Sequence, residues 1–157
     1  MQLSTIITTI LLCLAPISEL RGGLPFALAR GVPLVPAYLL CVVSNALVSP
    51  LIYLFLSSVH RLLLRWPAYV RFFDRFIDSA RKRVHGAIER FGIAGLIVFV
   101  AIPLPITGAV TGTFGAWVLG LPPRKVFPAV AAGVAIAGII VAAVYTLGIK
   151  ALDLFLK

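Results

Sequence analysis

The residues best suited to chemistry in this chain are Glu19 and Arg21, which stand two positions apart in an otherwise apolar stretch. They lie in SELRGGLPFALARGVP, residues 18–33, directly after the apolar run TTILLCLAPI. A carboxylate can exchange a proton or bind a cation, and a guanidinium can hold a phosphate or a carboxylate. The alternative is a permanent ion pair that only ties the chain together. We favour the functional role, because an ion pair used only for structure is a weak stabiliser.

Residues that disrupt helices follow the pair directly: Gly22, Gly23 and Pro25. Side chains two positions apart do not share one face of a helix, so Glu19 and Arg21 act together most easily on non-helical backbone. Glycine supplies the backbone freedom that such a turn needs. We therefore predict a non-helical tip that is built from these three residues and carries the ionisable pair.

The composition explains why an ionisable pair is unusual here. Of the 157 residues, 61% are hydrophobic and only 12% are charged, which leaves too few polar groups to cover a soluble domain. The chain is therefore predicted to be an integral membrane protein. An ionisable side chain inside a membrane costs about 3 kcal/mol on insertion scales, and it marks a functional site by default.

The net charge of +9 is unevenly distributed along the chain. Eight of the 14 Lys and Arg residues fall between His60 and Arg90. This is the positive-inside pattern, so we expect the segment to be cytoplasmic, with anionic membrane lipids as its partners. Basic residues are not interleaved with stacking aromatics on a polar background, which argues against nucleic acid as a partner.

Two apolar runs are long enough to cross a bilayer as helices. Residues 34–57 form an uninterrupted run of 24, and residues 126–149 form a second run of the same length. A helix of 24 residues is about 36 Å long, enough to cross a hydrocarbon core of about 30 Å with some tilt. The second run is rich in Gly and Ala, which allow close packing of helices in lipid.

A third apolar stretch, residues 93–121, is interrupted in its middle. The interrupting residues are Pro103, Pro105 and Gly108. Each remaining arm reaches only about 18 Å, which is too short to cross. Basic residues flank the stretch at both ends: Arg90, Arg124 and Lys125. The positive-inside rule then predicts a re-entrant helical hairpin that enters from the cytoplasm and returns to it.

The opening stretch has a counterpart in this hairpin. Shifting the sequence by 89 positions aligns PISELRGGLPFALARGVP (16–33) with PITGAVTGTFGAWVLGLP (105–122), with six identities in 18 positions. We therefore predict an all-α integral membrane protein, a single membrane domain 1–157 with an inverted repeat. Inverted repeats with broken helices place transport sites near the midplane, where the breaks meet. The predicted parts are repeat 1 at 1–57 (hairpin 4–31, spanning helix 34–57), an amphipathic cytoplasmic linker at 58–91, and repeat 2 at 92–157 (hairpin 93–121, spanning helix 126–149).

Other polar residues are candidates for the same site. Thr107 and Thr111 lie near the second break, with Gly108 and Gly112 as tip backbone, and Asn45 lies in the middle of the first spanning helix. The threonines either line a polar path or bond backbone groups freed by the prolines. Asn45 either contacts the substrate or bonds the broken backbone of a hairpin.

The linker shows a helical amphipathic pattern. Its apolar positions recur at steps of three and four: Tyr69, Phe73, Phe76, Ala80, Val84, Ala87 and Phe91. We expect a basic helix on the inner leaflet, with pairing to a second subunit as the alternative. The His and Cys residues have no metal-ligand spacing, and Cys13 and Cys41 are interpreted as buried small residues rather than a disulfide. Without a catalytic motif, we predict no enzyme, no metal and no cofactor.

Two motifs resemble a known family. ELRGGLPFAL (19–28), with Ser44-Asn45 in the next helix, and RFGIAGLIVFVAIPLPITGAVTG (90–112) resemble the small multidrug export protein family. More remotely, the chain resembles the DedA/VTT membrane proteins. The DedA resemblance implies two facing re-entrant hairpins, proton dependence and movement of lipid phosphates. It also implies a multi-pass protein of a prokaryotic cell (plasma) membrane.

Three functions follow from the residues and the resemblance. The first is translocation of a lipid phosphate, such as a polyprenyl phosphate, in which Arg21 holds the headgroup and Glu19 carries protons. The second is proton-coupled export of lipophilic cations, in which Glu19 binds the cation. The third is a membrane scaffold that transports nothing. We expect the first, because a lipophilic cation beside Arg21 is repelled in a medium of low dielectric constant. We also expect a homodimer, because a monomer is thin for burying Glu19.

Overall fold

The computed structural model describes residues 2–104 and 107–155, and this part of the chain contains helices and no strand. Pro105, an expected tip residue, lies outside it. The helices are α1 Leu3–Leu14, α2 Glu19–Ala29, α3 Leu34–Ala46, α4 Val48–Ser57, α5 Val59–Leu63, α6 Pro67–Ala101, α7 Ala109–Val118 and α8 Pro123–Phe155. The predicted all-helical class is therefore confirmed.

Three helical stretches are long and apolar enough to cross a membrane: Leu34–Ser57, Pro67–Ala101 and Pro123–Gly148. The first joins α3 to α4 through Leu47, whose dihedral angles (φ −64°, ψ −18°) stay helical, so the helix expected at 34–57 is present. The helix expected at 126–149 begins three residues earlier, at Pro123, where a helix accepts proline without losing a hydrogen bond. The middle stretch was not expected as one helix.

This middle helix, α6, reverses direction at Gly92. Gly92 has φ 58° and ψ −138°, a combination that is essentially restricted to glycine. Gly95 consequently packs against the backbone of Ala87, although a straight helix would separate these two residues by about 12 Å. We therefore treat α6 as a basic arm, residues 67–91, and an apolar arm, residues 93–101.

The basic arm lies against α7 and buries its apolar face there. Phe73, Ala80 and Val84 are buried, and the backbone at Gly115 of α7 packs directly against Val84. The face expected from the sequence is thus the face that packs, except that Phe91 is 62% exposed. The sequence predicted a helix on the inner leaflet, and in the structure α7 covers its apolar face.

The first two helices, α1 and α2, pack antiparallel. Gly23 lies against Cys13 and the Thr9 carbonyl, so a small residue is required there for close approach of the helices. Gly22, Gly23 and Pro25 therefore lie inside α2, and the prediction that they form a non-helical tip was wrong. The turn between the helices consists of residues 15–18 instead.

Helix α8 passes along the centre of the molecule. Its Gly138 contacts Tyr38 of α3 and Leu20 of α2, and its Gly133 contacts Val100 of the apolar arm. The Tyr38 hydroxyl also donates a hydrogen bond to the Ala135 carbonyl at 3.0 Å. The most deeply buried side chains gather around these contacts: Leu20, Leu24, Leu96, Val100, Val130 and Val134. The core therefore lies where two helical pairs, α1 with α2 and the apolar arm with α7, meet α3 and α8.

Candidate functional site

Two segments of the chain are interrupted in their middle: α1–α2, residues 3–29, and the apolar arm with α7, residues 93–118. Glu19 lies where these two interrupted segments touch. Its side chain is buried, with the residue 5% exposed, and its Oε1 accepts a hydrogen bond from the Val110 backbone N–H at 3.2 Å. Val110 is in the first turn of α7, where backbone N–H groups have no partner within the helix. A carboxylate at this position also interacts favourably with the helix dipole. The α1–α2 pair and the second interrupted segment are thus joined by a carboxylate.

The backbone of Glu19 is unusual as well. Its φ is +48°, which makes it the one non-glycine residue with positive φ in the described part of the chain. An L-residue in the left-handed region costs roughly 1–2 kcal/mol, and a chain that needed only a turn would be served better by glycine. Strain of this kind concentrates at functional sites. We therefore read the strain as the cost of placing a carboxylate at this point.

Gly108 makes room for that carboxylate. It precedes α7 with φ +142°, a value that L side chains rarely adopt, and a β-carbon there would overlap the Glu19 carboxylate. Two independent constraints, the dihedral angle and the space, therefore require glycine at 108.

Arg21 is held mainly by Thr107. Its Nη2 donates to the Thr107 backbone carbonyl and lies 3.2 Å from the Thr107 hydroxyl. Its distance to Glu19 Oε2 is 3.8 Å, longer than the roughly 2.7–2.9 Å of a charge-assisted hydrogen bond. Glu19 and Arg21 are thus neighbours whose shortest hydrogen bonds are to other groups.

Thr107 takes one of the two roles considered for it, bonding to backbone carbonyls beside a proline, and the polar path stays a prediction. Its hydroxyl lies 2.8 Å from each of the carbonyls of Ile102 and Leu104, which flank Pro103, and it also meets Arg21. Thr111 is half-buried on α7 and makes none of the hydrogen bonds described at this contact. Gly112 lies inside α7 against Val100, so its expected place in the tip backbone was wrong.

Asn45 is buried on α3, and its Oδ1 has no hydrogen-bond partner among the described residues. One helical turn later, Ser49 Oγ accepts a bond of 3.0 Å from the Thr113 hydroxyl of α7. The sequence reasoning missed Ser49, Thr113 and the Val110 N–H. The four-residue spacing from Asn45 to Ser49 is the signal that would have found Ser49.

An aromatic groove lies on one side of the contact between Glu19 and α7. It has a volume of about 300 Å³ and continues into a second apolar cavity of about 230 Å³ that shares four of its residues, Pro16, Phe55, Val110 and Phe114. Besides these four, the groove is lined by Tyr69, Phe72, Phe73 and Phe76. The groove therefore extends from the basic arm to the residue that donates to Glu19.

Another cavity, the Arg21 pocket, is separate from the groove and from its apolar extension, and it shares no lining residue with either. It has a volume of about 370 Å³ and is lined by Arg21, Pro25, Pro103, Val141, Val144 and Tyr145. The side chain of Arg21 is 21% exposed, whereas that of Glu19 is 7% exposed. The contact between the interrupted segments thus borders two separate cavities.

Several other polar groups lie away from this contact. His60 Nδ1 is 2.9 Å from the Tyr69 hydroxyl, and its ring lies 4.3 Å from that of Phe73. Cys13 and Cys41 are buried and free. Within the described residues, His, Cys, Asp and Glu side chains form no group of three or more that could hold a metal ion.

Comparison with known proteins places these residues in a family. A family model described as "Putative small multi-drug export protein" matches residues 19–140, more than three quarters of the chain. The chain belongs to this family. The match begins at Glu19 and spans both halves of the contact described above. No curated protein and no solved structure matches the chain. Family membership and the apolar helices together identify a membrane protein of an exporter family, and the relationship to DedA proteins stays a prediction.

Proposed function

We propose that this chain is a proton-coupled exporter of lipophilic cations and that Glu19 is its exchange site. The observation that carries this proposal is the position of Glu19, a buried carboxylate at the contact between two interrupted segments. The aromatic groove and its apolar extension reach this contact at Val110, and the Arg21 pocket reaches it at Arg21. Membership of the small multidrug export family favours cations over the lipid phosphates that we expected first.

The proposal includes two re-entrant hairpins in inverted orientation. The apolar arm has nine residues and α7 has ten, so each is about 15 Å long, half of a hydrocarbon core. The reversal at Gly92 lets the apolar arm enter the membrane while the basic arm stays outside it. Placing the basic arm in the cytoplasm puts α1–α2 on the outer side of a prokaryotic plasma membrane, with both tips at the midplane.

Labelling of single cysteines tests this topology. In a background with Cys13→Ala and Cys41→Ala, we expect Arg30→Cys to react with a membrane-impermeant thiol reagent from outside and Arg124→Cys only from inside. Both side chains are exposed, so accessibility reports their side of the membrane. If the stretch 67–101 crosses the membrane as one helix, Arg124→Cys reacts from the same side as Arg30→Cys, and the hairpin topology is wrong.

The aromatic groove supplies an entry for lipophilic cations from the inner leaflet. It begins at the basic arm, where Phe72 is 71% exposed, and ends at Val110 beside Glu19. Aromatic faces attract cations by about 0.5–2 kcal/mol each, and more strongly where water is excluded. The exposed arginines of the basic arm repel cations only weakly, because salt and anionic lipid head groups screen them.

Exchange at Glu19 couples the two fluxes. The carboxylate holds either a proton or the cation, so the arrival of one releases the other. Arg21 hydrogen-bonds Thr107 and lies 3.8 Å from Glu19, so a cation that binds the Glu19 carboxylate does so against the repulsion of the Arg21 charge. The two tips separate first on one side and then on the other. Glu19 is thereby opened alternately to the groove and to the Arg21 pocket.

A transport assay tests the proposal. Inside-out vesicles with an acidic lumen and the membrane potential clamped at zero are expected to accumulate a permanently charged fluorescent cation, and to stop when the pH gradient is collapsed. A permanent charge prevents simple trapping by protonation. Accumulation equal to that of protein-free vesicles would contradict cation export and would leave lipid-phosphate translocation and the scaffold hypothesis.

Lipid-phosphate translocation remains a second candidate because of Arg21. Arg21 lines a pocket of about 370 Å³ whose other lining residues are mostly apolar, an arrangement that suits an anionic headgroup with a hydrocarbon tail. In the same vesicles, protein-dependent movement of a polyprenyl phosphate without movement of the cation would favour this second function.

A further inference from the structure

We infer that Asn45 is a specificity-determining residue whose Oδ1 accepts a hydrogen bond from substrate, so that the preferred substrates are protonated amines that carry an N–H. Quaternary cations, which have the charge but no N–H, are bound less well. The inference rests on the proposed function, because it names a class of cation for the Glu19 site.

The first observation is an unpaired acceptor in the protein interior. Asn45 is 3% exposed, and its Oδ1 has no hydrogen-bond partner among the described residues. Buried polar atoms are nearly always paired, so an unpaired one calls for an explanation. An apolar side chain would serve packing better at this position in a membrane helix. An acceptor kept without a donor is suited to a donor that arrives with the ligand.

The second observation sets the depth of Asn45. Ser49 pairs with Thr113 at 3.0 Å, and Tyr53 OH donates to the Leu121 carbonyl at 3.2 Å. Tyr53 follows Ser49 by four residues and Leu121 follows Thr113 by eight, just past the end of α7, so α4 and the α7 segment run in the same direction. One turn back from Ser49 is Asn45, and three residues back from Thr113 is Val110. Asn45 therefore lies at the level of the residue that donates to Glu19.

These two acceptors define a chemical class of ligand. The Glu19 carboxylate supplies negative charge, and the Asn45 carbonyl supplies a directed acceptor at the same depth. A protonated amine satisfies both, whereas a quaternary ammonium leaves the amide oxygen unpaired. Sites that hydrogen-bond a ligand discriminate strongly against analogues without the bonding group, because a buried polar atom is then left unsatisfied.

The test compares one ligand in two forms: a lipophilic tertiary amine in its protonated form and the same molecule after N-methylation. Binding to the purified full chain in detergent, measured by calorimetry at a pH where the amine is charged, is expected to favour the amine by roughly tenfold. Asn45→Leu is expected to remove this preference while retaining affinity for the quaternary form. Ser44→Ala, at the neighbouring buried polar position, is expected to keep the preference.

Each outcome has a definite meaning. Equal affinity of the wild-type protein for the two forms overturns the inference, and this comparison needs no variant. A preference that survives in Asn45→Leu overturns it as well, as does an equal loss of both affinities in a variant that still folds. A preference that depends on Asn45, in a protein that moves neither the protonated amine nor the quaternary cation in vesicles, supports the inference and refutes the proposed export instead.

Discussion

Replacing Glu19 with Gln is expected to reduce proton-driven cation flux by about 30-fold or more, to the level of protein-free vesicles. Glutamine keeps the size of the side chain and an acceptor for the Val110 N–H, so the contact between the tips has a partner of similar shape. It removes the negative charge that binds the cation. Losing one partner of a buried charge pair, here the carboxylate that pairs with the cation, costs about 2–5 kcal/mol. Flux in the vesicle assay described above is the measurement.

Glu89→Gln is the matched control for this variant. Glu89 is on the basic arm, 72% exposed, and its only described ionic contact is to His85 at 3.2 Å. We expect wild-type flux, because an exposed pair of this kind contributes about 0–1 kcal/mol. If Glu19→Gln folds and retains wild-type flux, Glu19 is not the exchange site, whatever the substrate is.

The sequence was informative about which residues meet and less so about how the backbone brings them together. Glu19, Arg21 and Thr107 were predicted to lie at facing breaks, and the structure brings all three within hydrogen-bonding or ionic reach. These residues could be singled out because ionisable residues and short helical arms are visible in the composition of an apolar chain, whereas the re-entrant hairpins stay a prediction. The alignment by 89 positions pointed to the same two segments, and the inverted repeat that it suggested stays a prediction.

The details of the first turn were not predictable in the same way. Gly22 and Gly23 look like turn residues by propensity, but tertiary packing decides their role, because Gly23 meets Cys13 of the neighbouring helix. The chain turns at residues 15–18 instead, and Glu19, the first residue of α2, has a left-handed conformation that a local rule assigns to glycine. Strain at a functional residue is a place where local sequence rules are expected to fail.

Neither the reversal at Gly92 nor the aromatic groove could be predicted from the sequence pattern. A single glycine inside an amphipathic run is compatible with a straight helix, and only the packing of Gly95 on Ala87 decides otherwise. The groove combines residues from α4, the basic arm and α7, which are far apart in sequence. Three of its aromatic residues, Tyr69, Phe73 and Phe76, were assigned to one face of the linker, yet the helix that covers this face could not be predicted from the pattern.

Gly108→Ala is the second change with a large expected effect, because it breaks the contact between the tips without touching an ionisable group. The methyl group would overlap the Glu19 carboxylate, and φ +142° would be strained. We expect the free energy of unfolding to fall by about 1–3 kcal/mol, with flux lost as well. The control is Gly86→Ala on the basic arm, where a β-carbon meets open space, and alanine there is expected to stabilise by about 0.5–1 kcal/mol.

A double-mutant cycle separates the two causes of this loss. In a Glu19→Ala background the carboxylate is absent, so Gly108→Ala should cost less than in the wild-type protein, and the remaining cost is the backbone strain. The coupling energy between residues in contact is usually 0.5–3 kcal/mol, measurable from thermal unfolding in detergent. Strictly additive costs would mean that Glu19 and Gly108 do not touch, and the contact between the tips, on which the exchange site depends, would have to be abandoned.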